Sequence, residues 1–173
     1  MDDMRILTLL VFVTVAVVQD ICRMKIKNEL IIAGMGLGMI FRFGGDGISS
    51  VVPVLGNILF PVLLLFLIFR IGAIGAGDIK LFSMIGCYIR FQELAWCIIY
   101  AFLIGAIISL GLLLINRNLR QSLVRIWQYV VRLQNGQRIN YRQMGVEKQN
   151  LMHFSIAIEF GLVVVIVKGC TGL

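Results

Sequence analysis

Residues 51–69 read VVPVLGNILFPVLLLFLIF, an apolar run in which no side chain is charged. A helix needs about 17 to 25 such residues to cross the hydrocarbon core of a bilayer, so this run is long enough for one crossing. The rest of the chain has the same character, since 60% of its 173 residues are hydrophobic, 14% are charged and its mean hydropathy is +0.95. Soluble domains carry about 25% charged residues. The composition therefore predicts an integral membrane protein.

Five further apolar segments flank this run. We predict the six spans at 4–22, 28–43, 51–69, 78–90, 93–115 and 151–168. A single helix from Ile79 to Ile115 would be about 55 Å long, nearly twice the hydrocarbon thickness, so we expect Arg90 and Glu93 to mark a hairpin within it. The chain, 1–173, is thus predicted to be a single all-α domain, a polytopic membrane bundle of about six transmembrane helices.

Lysine and arginine are distributed unevenly between the two predicted sides of this bundle. The connections after spans 1, 3 and 5 carry twelve of them: Arg23, Lys25, Lys27, Arg70, Lys80, Arg117, Arg120, Arg125, Arg132, Arg138, Arg142 and Lys148. The opposite side carries four: Arg5, Arg42, Arg90 and Lys168. Basic residues accumulate on the cytoplasmic side of membrane proteins. We therefore predict extracytoplasmic termini, and we attribute the net charge of +7 to membrane topology rather than to nucleic-acid binding.

The longest connection, 116–150, has apolar residues at helical spacing, namely Leu119, Leu123, Ile126, Val130 and Leu133. Its arginines lie elsewhere on the helical wheel. This pattern resembles a basic amphipathic cytoplasmic helix that lies in the membrane interface and contacts acyl chains and anionic lipid. A helix packed against the other spans is an equally good interpretation, and the pattern does not distinguish the two.

Small and sulfur-containing residues are interpreted as packing features. The four cysteines, Cys22, Cys87, Cys97 and Cys170, form no CxxC pair and are interpreted as small buried apolar side chains. Gly34, Gly36 and Gly38 are interpreted as sites of close helix packing. With a single histidine, His153, interpreted as a polar residue at a helix end, we predict neither a metal site nor a cofactor.

Three of the nine carboxylates stand out as candidates at or within the membrane: Asp20, Asp78 and Glu159. An ionisable group in the membrane costs at least a few kcal/mol unless it is paired or hydrated, so each is a functional candidate. Each also has a structural interpretation. Asp20 fits a solvated helix end balanced by Arg23, and Asp78 fits a helix N-cap. Glu159 fits a protonated or hydrogen-bonded residue inside the bundle.

The residues around Asp78 read GAGDIK over 75–80. The two glycines permit backbone conformations closed to other residues and leave room for a peptide to pass close by. The predicted orientation puts Asp20 and Asp78 at the same cytoplasmic membrane edge, on separate helices. Two carboxylates that share a site do not both ionise easily, so one holds a proton while the other acts as a base. This is the chemistry of an aspartic protease, with the assignment of the two roles left open.

These motifs, in this order, resemble the type IV prepilin peptidases, which are membrane aspartic proteases of the GxGD class. The chain is most similar to the short members that process Flp-type prepilins of tight-adherence (Tad) pili. The residues that carry the resemblance are Asp20, Arg23, the segment KIKNEL at 25–30 and the segment GAGDIKL at 75–81, with MHFS at 152–155 as a weaker match.

The resemblance implies that Asp20 and Asp78 are the catalytic dyad and that Gly75 and Gly77 shape the site. It also aligns Lys80 and Asn28 with residues common in the family, while Lys27 stands where the family usually has a proline. It further implies a bacterial inner-membrane enzyme with its active site facing the cytoplasm. The chain lacks the cysteine-rich segment of longer members that also methylate the new N-terminus, so methyltransferase activity stays open.

By the same resemblance, the substrate is a prepilin or pseudopilin with a basic leader and an apolar helix, cut just after a glycine. Two other functions fit the residues. In a small transporter or ion-binding membrane subunit, the same carboxylates would couple to a cation. In a structural partner for pilus assembly, neither aspartate would matter and the basic linker would.

Overall fold

A computed structural model describes residues 3–47, 50–115 and 154–171. Within these ranges the chain forms six α-helices and no strand, which confirms the predicted all-α class. The helices are α1 (Asp3–Arg23), α2 (Asn28–Asp46), α3 (Val51–Ile71), α4 (Ala76–Tyr88), α5 (Phe91–Ile115) and α6 (Phe154–Thr171). The linker 116–150, for which an amphipathic helix is predicted, lies outside the described residues.

Three of these helices are long and apolar enough to cross a membrane, by length and composition: α1, α3 and the part of α5 from Phe91 to Leu112. The chain is therefore a membrane protein that is helical throughout its described ranges apart from short connections, while six crossings stay a prediction. The 13 residues of α4 span only about 20 Å, which is shorter than the hydrocarbon core. Helix α4 is therefore too short to reach both surfaces of the hydrocarbon core.

Helix α4 is the centre of the bundle and contacts each of the other five described helices. Every residue from Leu81 to Ile89 is buried. The segment is apolar on all sides, and a helix of that composition is stable only when it is surrounded. Because Asp78 is in the first turn of α4, the position of this helix determines where the Asp78 side chain lies.

Polar contacts show which helix ends lie together. The last turn of α1 contacts the beginning of α6, and the beginning of α4 contacts the beginning of α2. At the opposite end of the bundle, the Arg5 guanidinium in the first turns of α1 donates to the Tyr88 carbonyl in the last turn of α4. The end of α1 and the beginnings of α2, α4 and α6 therefore share one end of the bundle.

The carbonyl groups at the end of α4 are satisfied by side chains from other helices. Asn57 of α3 donates through Nδ2 to the Gly86 carbonyl at 3.1 Å and to the Ile89 carbonyl at 3.0 Å. The last carbonyls of a helix have no partner within it, and little water is available inside a membrane bundle. Asn57 therefore fixes α4 against α3, which explains a buried amide in an otherwise apolar helix.

The glycine prediction for α2 is correct at two positions and wrong at the third. A Cβ on Gly34 would lie 2.4 Å from Met84 Sδ, and one on Gly38 would lie 2.7 Å from the Tyr88 ring. The Tyr88 hydroxyl also donates to the Gly34 carbonyl at 2.7 Å. A Cβ on Gly36 would meet no atom within 4 Å, because residues two apart on a helix point to different sides.

Two further expectations can be compared with the structure. The hairpin at Arg90 and Glu93 is confirmed, since Glu93 Oε2 accepts the Arg90 backbone N–H at 2.9 Å between α4 and α5. The interpretation of the cysteines as buried side chains holds for Cys87 and Cys97 but is wrong for Cys22, which is exposed. Cys22 lies in the last turn of α1, beyond the packed part of that helix.

Candidate active site

Asp20 lies in the last turn of α1 and is half-buried against α6. Its Oδ2 accepts a hydrogen bond from Ser155 Oγ at 2.6 Å. Ser155 itself is fully buried, so its hydroxyl needs a protein partner. The solvated-end interpretation of Asp20 is therefore wrong, because the carboxylate is held by a side chain from another helix. In the sequence, Ser155 belongs to the weaker family match at 152–155, and nothing in that pattern indicates its contact with Asp20.

Asp78 lies in the first turn of α4 and closes that turn. Its Oδ2 accepts the Gly75 backbone N–H at 3.2 Å, while the Asp78 N–H donates to the Gly75 carbonyl at 3.2 Å. The N-cap residue is Gly75, with Asp78 three residues further on. The interpretation of Asp78 as the N-cap residue is thus wrong, because Asp78 is the third residue of the helix. Its carboxylate nevertheless accepts a hydrogen bond from a backbone N–H at the helix start.

The two aspartates influence each other electrostatically. Asp78 lies outside the three helices that are long enough to cross a membrane. Burial raises the pKa of Asp78 to about 6, with a further upward contribution from the negative charge of Asp20 and a downward one from the Gly75 hydrogen bond. A carboxyl group with this pKa holds its proton far more readily than an ordinary aspartate. The structure therefore brings Asp20 and Asp78 to the same end of the bundle as an interacting pair.

Gly75 matters for the space it leaves beside Asp78, whereas a side chain at Gly77 would make only an ordinary contact. Gly75 has an ordinary extended conformation, with φ −79° and ψ 150°, and Gly77 is within α4. A Cβ on Gly75 would lie 3.1 Å from the Asp78 carboxylate, and one on Gly77 would lie 3.5 Å from Ile26. The expectation of an unusual backbone conformation is wrong at these positions. The absence of a side chain at Gly75 leaves the Asp78 carboxylate uncrowded.

Lys80 and Asn28 form a direct contact between α4 and α2. The Lys80 Nζ donates to Asn28 Oδ1 at 2.8 Å, and both side chains are exposed. In the sequence, these two residues are separate candidates that lie fifty-two positions apart. The contact ties the helix that carries Asp78 to the start of α2, close to the Ile26 side chain that packs over Gly77.

Lys27 keeps the backbone geometry of a proline while adding a hydrogen bond. It has φ −69° and ψ 135°, and proline fixes φ near about −65°. The Lys27 backbone N–H donates to Gln19 Oε1 at 3.1 Å, a bond that proline is unable to make. The turn before α2 is thus preserved without the proline, and it is tied to α1 one residue before Asp20.

The link between Lys80 and Asn28 should contribute measurably to stability. We expect Asn28→Ala and Lys80→Met each to lower the free energy of unfolding by about 0.5–1.5 kcal/mol, and the double variant to lose little more than either single variant. Unfolding of the detergent-solubilised protein by SDS measures this cycle. Fully additive losses would show that the two side chains do not interact.

Glu159 has a hydrogen-bond partner on α1 and lies away from the aspartate pair. The Thr14 hydroxyl donates to Glu159 Oε1 at 2.7 Å. Thr14 precedes Asp20 by six residues, which is about 9 Å along α1. The structure therefore favours the hydrogen-bonded interpretation of Glu159. His153 lies outside the described residues, and among the residues described no cluster of three or more His, Cys, Asp or Glu is suited to a metal ion.

The fold and the site together define a helical membrane protein with an interacting pair of carboxylates at one end of its bundle. The sequence profile of the type IV leader peptidase family matches residues 7–110, which is more than half of the chain, and the chain belongs to this family. The family resemblance is thereby confirmed, and it identifies the chain as a protease of the type IV leader peptidase type. No curated protein and no solved structure matches the chain.

The family match includes both predicted site segments and ends before α6. Asp20, Asn28 and the segment 75–80 all fall within residues 7–110. Membership implies, at a coarse level, prepilin-type substrates and a place in the inner membrane. Ser155, which donates a hydrogen bond to Asp20, lies in the part of the chain that the family profile does not match.

Proposed function

We propose that this protein is a membrane aspartic endopeptidase that removes the basic leader of type IV or Flp-like prepilins, with Asp20 and Asp78 as its catalytic dyad. The observation that carries the proposal is the pair itself. Asp78 is half-buried in the first turn of α4, and the charge of Asp20, from another helix, adds to the effect of burial in raising its pKa. A pair that holds one proton is what an aspartic protease requires.

The reaction needs one ionised and one protonated carboxyl group. The ionised aspartate takes a proton from water as the water oxygen attacks the scissile carbonyl carbon, and the protonated aspartate gives its proton to the carbonyl oxygen. The resulting gem-diol then collapses. The C–N bond breaks, the leaving nitrogen takes the proton that came from water, and a gem-diol hydroxyl returns a proton to the other carboxyl group. The dyad ends with one proton, as it began.

The substrate would approach from the bilayer. Its apolar helix would lie against the enzyme in the membrane while its leader junction meets the dyad on the cytoplasmic face. A helical peptide bond has its carbonyl hydrogen-bonded, so the junction must unwind before attack. Glycine at the cut favours that unwinding. The excess of lysine and arginine on this side supports the cytoplasmic orientation, and the basic linker 116–150 would bind anionic lipid nearby.

Co-expression with a prepilin tests the proposal. The substrate should carry a basic leader, a glycine and an apolar helix, and mass spectrometry should read the N-terminus of the product. We expect the product to begin directly after the glycine when the wild-type enzyme is present, and the leader to be retained in its absence. An intact leader in the presence of well-expressed enzyme, together with ion flux in proteoliposomes, would favour the ion-binding alternative instead.

Cleavage should depend on pH because the dyad must keep one proton. Since the pKa of Asp78 is about 6, the pair should lose its proton as the pH rises past that value. We expect kcat/KM to fall above about pH 6, by about tenfold for each further unit. Cleavage of a synthetic prepilin peptide in detergent micelles measures this profile. A constant kcat/KM between about pH 5 and pH 8 would contradict a shared proton with this pKa.

A further inference from the structure

Ser155 contacts the candidate active site from α6. Its Oγ donates to Asp20 Oδ2 at 2.6 Å, and the serine is 0% exposed. This distance is in the range of a hydroxyl bonded to an ionised carboxylate. Because Ser155 is buried, little water competes for the bond.

A hydroxyl donor has two effects on a carboxylate. It holds the carboxyl group in one orientation, because the bond to Oδ2 restricts rotation of the Asp20 side chain. It also favours the charged form, since an ionised acceptor makes the stronger hydrogen bond. Both effects are needed in a general base that must be ready before the substrate arrives.

Asp78 has the contrasting environment. The hydrogen bond to its Oδ2 is longer, at 3.2 Å, and comes from the Gly75 backbone. Burial and the charge of Asp20 both disfavour ionisation of Asp78, and its pKa is raised to about 6. Since one member of a close pair must hold a proton, the surroundings of the two side chains favour a proton on Asp78.

We propose that Ser155 is a positioning residue that holds Asp20 as the ionised general base of the dyad and so leaves the catalytic proton on Asp78. This inference rests on the proposed function and assigns the two roles that the sequence leaves open. Ser155 acts through Asp20 and does not touch the reacting atoms. The last helix is thereby part of the catalytic apparatus and not only of the membrane bundle.

Other charged groups lie on α1 itself and on α2, α4 and α6, the helices that pack against it. They are Arg23 and Lys25 after Asp20, Lys27 and Glu29 at the start of α2, Asp78 and Lys80 of α4, and Glu159 of α6. Two of them have partners of their own, since Lys80 bonds to Asn28 and Glu159 to Thr14. All are unchanged by substitution at Ser155, so a difference between variants reports the hydroxyl group.

The test compares Ser155→Ala with Ser155→Thr. In cleavage of a synthetic prepilin peptide, we expect Ser155→Ala to lower kcat about tenfold with little change in KM. We expect the acidic limb of its pH–rate profile to move to higher pH, because the base has lost a donor to its charged form. Ser155→Thr keeps the hydroxyl group and should restore both kcat and the profile toward wild type.

Ser83→Ala is the matched control. Ser83 is also buried, and its hydroxyl lies within hydrogen-bond distance of two backbone carbonyls, those of Ile58 at 3.0 Å and Ile79 at 3.1 Å, rather than of a carboxylate. It should leave the pH profile unchanged. A wild-type kcat and profile in Ser155→Ala would overturn the proposal, and so would equal losses in both alanine variants with no shift in profile. Retained cleavage in Asp20→Asn would instead overturn the proposed function itself.

Discussion

Asp20→Asn and Asp78→Asn should each reduce prepilin cleavage by at least about a thousandfold, since general acid–base groups contribute about 100- to 10,000-fold and the two act as a unit. Asparagine keeps the size of the side chain but neither takes nor supplies the proton. For the same reason, the double variant should lose little more than either single variant. Mass spectrometry of the product N-terminus, with the rate for purified enzyme, measures the effect.

The control for this prediction is Asp3→Asn. Asp3 is an exposed aspartate in the first turn of α1, at the opposite end of that helix from Asp20. The same chemical change there should leave the cleavage rate within about twofold of wild type, as is usual for a surface substitution. All variants should accumulate in the membrane to similar levels. Cleavage at more than a tenth of the wild-type rate in either dyad variant would exclude the proposed mechanism.

The sequence was a good guide to the helical segments. The length of an apolar run in the sequence indicates the length of the helix that it forms. The ends of the described helices therefore lie within a few residues of the ends of the predicted segments. The sequence also predicts that Asp20 and Asp78 lie at the same end of the bundle, because alternating helix directions bring those helix ends together, whereas the bond between Lys80 and Asn28 is known only from the structure. The order and direction of the helices are enough to predict which helix ends lie together.

The contacts between helices could not be predicted in this way. Helix α4 is apolar on every side, so no periodicity indicates which face meets which neighbour. The roles of Ser155 and Asn57 depend on the rotation of α6 and α3 about their own axes, and that rotation is decided by side-chain packing. Gly36 illustrates the same point. Its place between Gly34 and Gly38 suggests a packing site, but a Cβ there would meet no other atom within 4 Å.

Gly86→Ala should strongly destabilise the protein, because α4 approaches the backbone of α3 closely at Gly86. A Cβ at this position would lie 2.7 Å from the Asn57 carbonyl oxygen, which belongs to the backbone and has little freedom to move. The helices would have to separate, weakening the bonds from Asn57 to the Gly86 and Ile89 carbonyls. We expect a loss of about 1–3 kcal/mol in the free energy of unfolding, as for other overpacked cores.

Gly36→Ala provides the comparison that separates crowding from helix propensity. Both glycines are helical, but a Cβ on Gly36 meets nothing within 4 Å. Alanine there should be neutral or should stabilise the protein by up to about 1 kcal/mol, because it is the better helix former. SDS unfolding of both variants gives the difference. Equal effects would mean that α3 and α4 are not in close contact at Gly86, and α4 would then lose the packing that holds Asp78 at its end of the bundle.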